Sequence, residues 1–283
     1  MVIDVHVHIA PPEIRDNRIP FLEDEPEFAV IYQDPQAQIA GASEVVASMD
    51  SHGVDKAWVF GFPWRKEDNY RLNNDYVLDA ARRYPDRLIP FSCLGVEQPG
   101  AEKEVERCLS LGAKGVGELA FYEHGLNDQA IQALSGITDS CQQAGCPILL
   151  HTNEPVGHTY PGKSPMTLYQ LYHLIKTYPH TKWIFAHLGG GLPFFGFMKK
   201  EVTTILENCW FDTAAVPFLY HPQSLLAMAQ AVGIEKLLFG TDFPLLPPSR
   251  YYREFAQSGL TEEELSNLYG HNAEKILNAP SHA

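Results

Sequence analysis

Short apolar runs recur along the chain, each followed by a turn signal and then by a segment with helical periodicity. Runs rich in Val, Ile, Leu and Phe occupy about 2–8, 56–62, 88–94, 113–119, 146–151, 182–187, 208–213 and 236–242. They are mostly apolar on both faces, as parallel strands covered on both sides should be. Between them lie amphipathic stretches at Asn73–Tyr84, Glu102–Leu111, Asp128–Ala144, Leu168–Tyr178 and Gln223–Val232, several of which end at Gly or Pro. Eight strands alternating with helices predict an α/β fold, a (β/α)8 barrel formed by a single domain over 1–283. An open doubly wound sheet would normally carry a Gly-rich phosphate turn after its first strand. Val7-His8-Ile9-Ala10-Pro11-Pro12 stands there instead. One stretch breaks the rhythm: a long insertion at about 10–41, rich in Pro and acids, shows no clear period. Following the first strand, it is placed to act as a lid over the C-terminal mouth of a barrel, or to be a solvated acidic excursion.

The informative polar residues interrupt apolar runs at the C-terminal ends of these strands, where barrel active sites are built. His6 and His8 end the first, Glu118 lies in the fourth, His151 ends the fifth, His187 the sixth and Asp242 the eighth. His6 and His8 are two apart on a strand, so they share a face with Cα atoms about 6.5–7 Å apart. Both imidazoles can then reach one ion at a Zn–N distance of about 2.0–2.1 Å. By the same alternation Asp4 shares that face one step deeper. A carboxylate directly after Leu237-Leu238-Phe239-Gly240-Thr241 is costly to bury without a cation or donors, which singles out Asp242. Alternation alone leaves the facing of Glu118 open. Gly115 and Gly117 remove bulk beside it, and the expectation is that it faces the metal, either bridging to a second ion near His187 or holding the metal's water.

Charge and composition narrow the partners. Lys plus Arg number 21 against 35 Asp plus Glu, a net charge of −14, which disfavours nucleic acid and anionic membranes. The five cysteines form no C-x-x-C pair, which argues against thiol zinc sites and a disulfide framework. The N-terminus lacks the apolar run of a signal peptide and no stretch reaches membrane-spanning length, so the expected location is cytoplasmic. The expected partner is a small-molecule substrate, with room for a homodimer.

Asp4-Val5-His6-Val7-His8, His151, His187 and Gly240-Thr241-Asp242-Phe243-Pro244 together resemble the metal-dependent amidohydrolase superfamily. More narrowly they resemble its amidohydrolase-related branch, which includes aminocarboxymuconate semialdehyde decarboxylase. Leu268-Tyr269-Gly270-His271-Asn272-Ala273-Glu274-Lys275-Ile276-Leu277 is similar to that branch's closing helix, and Asn208-Cys209-Trp210-Phe211-Asp212-Thr213 fits its seventh strand. The resemblance implies a distorted (β/α)8 TIM barrel with a divalent metal, usually Zn, with Mn or Fe as alternatives. It implies His6, His8, His151 and Asp242 as ligands and His187 as the residue contacting water or substrate. No Lys ends the fourth strand; Glu118 stands there, as in Glu-bridged deoxyribonuclease-like relatives. The implied chemistry is hydrolysis of a small carboxylated or cyclic lactone, ester or amide by a metal-activated water, with Asp242 moving its proton. Glu118 favours this over the alternative, non-oxidative decarboxylation on the same ligands. A barrel that keeps its metal but has lost catalysis is a third reading, weakened by the intact Asp242–His187 pair. His158, Tyr160 and Lys163 after the fifth strand, and Arg65 after the second, are the candidate substrate contacts, Arg65 as a carboxylate clamp.

Overall fold

The computed structural model describes residues 1–278; the last five residues of the predicted 1–283 domain lie outside them. All eight apolar runs form parallel strands: β1 (Ile3–His8), β2 (Lys56–Phe60), β3 (Leu88–Pro90), β4 (Val116–Leu119), β5 (Ile148–Leu150), β6 (Trp183–Phe185), β7 (Cys209–Asp212) and β8 (Leu237–Leu238). β1 to β3 and β4 to β8 pair in chain order as two sheets. Backbone hydrogen bonds join the sheets at both seams. Lys114 N donates to Pro90 O at 2.8 Å and Gly117 N to Ser92 O at 2.8 Å, while Val5 N donates to Phe239 O at 2.8 Å and Asp242 N to His6 O at 2.9 Å. The ring so formed is the distorted (β/α)8 barrel the sequence predicts.

Helices surround it close to the predicted spans: Glu67–Arg83, Ala101–Ser110, Leu168–Thr177 and Ser224–Val232. The predicted helix at Asp128–Ala144 is instead two, Asp128–Ala133 and Ser135–Ala144, divided at Leu134. Ile3, Val5, Trp58, Phe60, Phe91, Leu149, Ile184 and Leu238 pack inside the barrel, and Ala273 and Ile276 of the last helix join them. All five cysteines are free and buried. No helix among the described residues is long and apolar enough to cross a membrane.

The 10–41 insertion contains three short helices, Pro12–Arg15, Ile19–Leu22 and Pro26–Tyr32, each with Pro in its first turn. Tertiary contacts hold it down. Phe28, buried, packs its ring 4.4 Å from Trp64 and 5.4 Å from Phe62. The Glu25 carboxylate, also buried, accepts from Arg65 N at 2.8 Å, Lys66 N at 2.9 Å and Asn69 Nδ2 at 2.8 Å. It thereby satisfies orphan donors at the start of the Glu67–Arg83 helix. The insertion is a fixed roof over β2 and its loop, not a solvated excursion.

Two bulges aim the chemistry. Along β1, Asp4 pairs with Ala57 but Val7 with Val59, so three steps oppose two. Along β4, Val116 pairs with Ile148 but Leu119 with Leu150, again three against two. Each extra residue reverses the alternation. Val116 and Leu119 therefore both pack outward among the helices, leaving Glu118 to turn inward. Gly117 makes this bend: its φ is +132°, and a Cβ there would lie 2.3 Å from Leu149 O. The β1 bulge corrects one expectation. Asp4 does not share the face of His6; its carboxylate accepts from Thr241 N at 3.0 Å and from Thr241 Oγ1.

Candidate metal centre

Six side chains meet at the C-terminal mouth, and hydrogen bonds to their outer atoms fix what the inner atoms can do. His6 Nδ1 donates to Asp212 Oδ2 at 2.9 Å, and His8 Nδ1 donates to Gly61 O at 3.1 Å. A carbonyl or carboxylate can only accept, so each ring turns a bare Nε2 lone pair inward. There they face two more acceptors. His6 Nε2 lies 3.6 Å from Glu118 Oε2 and 3.5 Å from Asp242 Oδ1, and His8 Nε2 lies 3.6 and 3.3 Å from the same atoms. His6 Nε2 is fully buried without a hydrogen-bond partner. A buried nitrogen facing only acceptors is costly unless a cation compensates it. The residues present fit a divalent ion.

His151 and His187 form a second group with the other Glu118 oxygen. His151 Nε2 donates to Gly162 O at 3.0 Å and His187 Nδ1 to Ala214 O at 2.9 Å. Their inner nitrogens, His151 Nδ1 and His187 Nε2, stand 3.2 Å apart and 3.0 and 3.6 Å from Glu118 Oε1. The structure thus groups His151 with His187 and Glu118, and His6 with His8, Glu118 and Asp242.

Electrostatics reflects this crowding of acceptors. Burial disfavours the charged imidazoles, but Asp212 and Glu118 outweigh it at His6 and raise its pKa well above the ordinary value. Asp242 and Glu118 likewise bring His8 to about 9 against burial. The histidines in return hold Asp242 down to about 2, and Glu118 well below the carboxylate range, although burial alone would raise both. Without an ion, protons would be drawn into the same space.

Backbone strain accompanies the site. Asp242 and His187 both have left-handed backbones, with φ of +61° and +54°. Such residues cost about 1–3 kcal/mol each and persist only where surroundings over-determine them. Asp212 supplies much of that determination. Besides holding His6 it accepts from His187 N at 3.0 Å and Ala214 N at 2.9 Å, with no exposure of its own. In the sequence Asp212 stands out only as part of a strand. The signal that found Asp242, an acid ending an apolar run, was equally present at Phe211-Asp212. Asp212→Asn should weaken divalent-metal affinity about 10–100-fold by removing the acceptor that orients His6; a competition titration against a chromophoric chelator measures this, and unchanged affinity would exclude the role.

The candidate substrate contacts separate from the cluster. Arg65 donates to Glu27 at 3.2 Å and pairs with Glu123 at 2.8 Å, lining a different, polar cleft with Glu97 and His124. Lys163 Nζ is held by Glu154 Oε1 at 2.7 Å and by Val156 O at 2.6 Å. Tyr160 donates to Glu154 Oε2 at 2.8 Å, and His158 is exposed with its ring 6.2 Å from that of Tyr160. Arg65 and Lys163 therefore have acidic partners already. The wall nearest the ligands is aromatic. Tyr122 lies 5.0 Å from the His151 ring and stacks on Phe62 at 6.4 Å and 12°. His8, Phe28, Tyr32, Phe62 and Pro244 line a narrow cleft.

A barrel with His-x-His at the end of its first strand, histidines ending the fifth and sixth, and an acid after the eighth has the layout of a metal-dependent enzyme. The chain belongs to the amidohydrolase family, whose sequence model matches residues 3–279. It is 21% identical over 284 residues to a gamma-resorcylate decarboxylase of Polaromonas sp. (strain JS666), covering 82% of this chain and 86% of that protein. It is 27% identical over 176 residues to a 6-methylsalicylic acid decarboxylase of Penicillium expansum, covering 51% and 53% of the two chains. The fold matches 5-carboxyvanillate decarboxylase of Novosphingobium aromaticivorans, solved with manganese and a nitrobenzoic acid derivative, at a TM-score of 0.75 and 17% identity over 98% of this chain and 96% of that one. These similarities overturn the expectation of hydrolysis and favour its alternative. The error lay in reading a reaction from Glu118. A strand-four carboxylate determines how an ion is held, whereas the bond broken depends on what the mouth presents to it.

Proposed function

We propose that the protein is a metal-dependent, non-oxidative decarboxylase of a small hydroxylated aromatic carboxylate. The observation that carries this reading is the acceptor-only cluster opening on an aromatic wall, with Arg65 and Lys163 already paired to acids. An anionic substrate then finds neither Arg65 nor Lys163 free to pair with it and is neutralised at the cluster itself. His6, His8, Asp242 and Glu118 would hold the ion, and zinc and manganese both suit such a nitrogen and oxygen set. When bound, the ion supplies a Lewis acid that neutralises adjacent carboxylate and hydroxyl oxygens of the substrate.

The chain's own residues divide the remaining work. Asp242 keeps 19% of its side chain exposed while Glu118 keeps 4%, so Asp242 is the carboxylate that a substrate in the mouth can touch. It receives the proton that the substrate hydroxyl gives up on binding and delivers it to the ring carbon bearing the carboxylate. A C–H bond forms, the C–C bond to the carboxyl breaks, and its electron pair returns to the ring as CO2 leaves. His187, fixed through Nδ1 by Ala214 O, positions the substrate beside Asp242. Tyr122 and Phe62 offer flat surfaces for the ring.

The test is a panel of 2,6-dihydroxybenzoate, 6-methylsalicylate, 5-carboxyvanillate and unsubstituted benzoate, given to manganese- and zinc-loaded protein. CO2 release from at least one hydroxylated acid, and none from benzoate, is expected. Turnover of benzoate at the same rate would contradict the role given to the hydroxyl.

A further inference from the structure

A pair of thiols lies away from the mouth, before the first residue of β5. The helix Ser135–Ala144 stops at Gly145, whose φ of +68° is left-handed. Cys146 N then donates to Cys141 O at 3.0 Å, and Gly145 N to Gln142 O at 3.1 Å. These two nested bonds are the Schellman ending of a helix, which seats the side chain after the glycine against the one five positions before it. In most helices that contact is apolar packing. Here both side chains carry sulfur, and the Cys141 thiol donates to the Cys146 sulfur. Cys93 and Cys108 turn their thiols elsewhere, to Glu118 O at 3.0 Å and Glu104 Oε1 at 3.4 Å.

The two thiols are not equivalent. Cys141 has no exposure, whereas Cys146 keeps 9% and follows the exposed Gln143 and Ala144. Lys182 Nζ donates to Gly145 O at 2.9 Å, which holds an ammonium beside Cys146. The bond from Cys141, and then Lys182, draws the Cys146 thiol below its ordinary range against burial; the same bond, with burial, pushes Cys141 up. A thiolate is the nucleophile, so Cys146 attacks and Cys141 resolves. We propose that Cys141 and Cys146 form a reversible redox site, closed to a disulfide by hydrogen peroxide and reopened by a dithiol. The Cys146 thiolate attacks one peroxide oxygen: an S–O bond forms, the O–O bond breaks, and the departing hydroxide takes up the thiol's proton as water. Cys141 sulfur then attacks Cys146 sulfur, an S–S bond forms, and the S–O bond breaks to release the second water. Two thiols have lost two electrons and the peroxide has gained them. The dithiol reverses this by exchange, becoming the disulfide itself. The site fastens the helix to the start of β5, at the end of the barrel away from the ligands, and is independent of the reaction at the mouth.

Mass spectrometry reads the site directly. Trypsin yields one peptide, Gly115–Lys163, that holds both cysteines and no other. The folded, zinc-loaded chain is treated with hydrogen peroxide, then denatured, alkylated with iodoacetamide and digested. The peptide is expected to be lighter by two hydrogens and to carry no alkyl group, and to regain two alkyl groups when dithiothreitol follows the peroxide. Two alkylated cysteines after peroxide, or a disulfide that forms only in urea, would overturn the proposal. So would oxidation that dithiothreitol does not reverse. Cys141→Ser should stop at a sulfenic acid on Cys146, trapped with dimedone, and Cys146→Ser should leave the Cys141 thiol intact. Loss of the Cys141 thiol in Cys146→Ser would overturn the assignment of the attacking sulfur.

Discussion

Asp242→Asn should lower kcat by about 10²–10⁴-fold, the range lost when a positioned acid–base group is removed. The asparagine keeps the size of the side chain and an oxygen for His6 and His8 to face, but it cannot carry a proton to the ring carbon. Its backbone needs no change, since Asn tolerates the left-handed conformation that Asp242 adopts at φ +61°. KM should move far less than kcat, because the lost interaction belongs to the proton transfer. The measurement is kcat per bound metal for parent and variant. A ratio within about tenfold would remove Asp242 from the proton path.

Removing the metal should destabilise the chain in a pH-dependent way. In the metal-free protein His8 titrates at about 9 against an ordinary 6.5. Its contribution is fully present below pH 6.5 and is lost as pH rises through 9. Asp242, held at about 2 against 3.8, contributes above pH 3.8 and loses its contribution as pH falls through 2. The stripped chain is therefore most stable between about pH 4 and 6.5 on these two groups. The loaded chain runs the other way over pH 6.5–9, since an ion needs the lone pairs that protons would occupy. At a hundredfold excess over Kd, ligation adds about 2.7 kcal/mol, on the order of 5 °C in Tm for a chain of this size. Melting curves with and without chelator should differ little at pH 6 and by that amount at pH 9. An equal shift at both pH values would mean that protons and metal do not compete for His8.

Much of this architecture is legible in the apolar runs, because a parallel strand covered on both faces has few ways to be polar. What alternation could not supply was the facing of Glu118 and Asp4. Each lies where a bulge inserts a residue, and a bulge reverses the very parity from which facing is read. Gly115 and Gly117 were the visible trace of the second bulge. The insertion helices escaped notice because each is a single short, Pro-started turn or two, held by Glu25 and Phe28 rather than by its own periodicity. Arg65 and Lys163 looked available for substrate since their acidic partners, Glu123 and Glu154, are brought in by folding and by a loop. The grouping of His151 with His187 depends on Gly162 O and Ala214 O fixing the ring tautomers, and no spacing along the chain encodes that.

Metal-dependent proton delivery to the ring carbon is tested by decarboxylation of a 2,6-dihydroxybenzoate labelled with ¹³C at its carboxyl group, carried out in deuterated water with the metal-loaded chain. ¹³CO2 is expected in equal amount to a resorcinol carrying one deuterium at the vacated carbon, with neither product formed after chelation. Labelled CO2 formed without deuterium at that carbon, or undiminished release from the chelated chain, would contradict it.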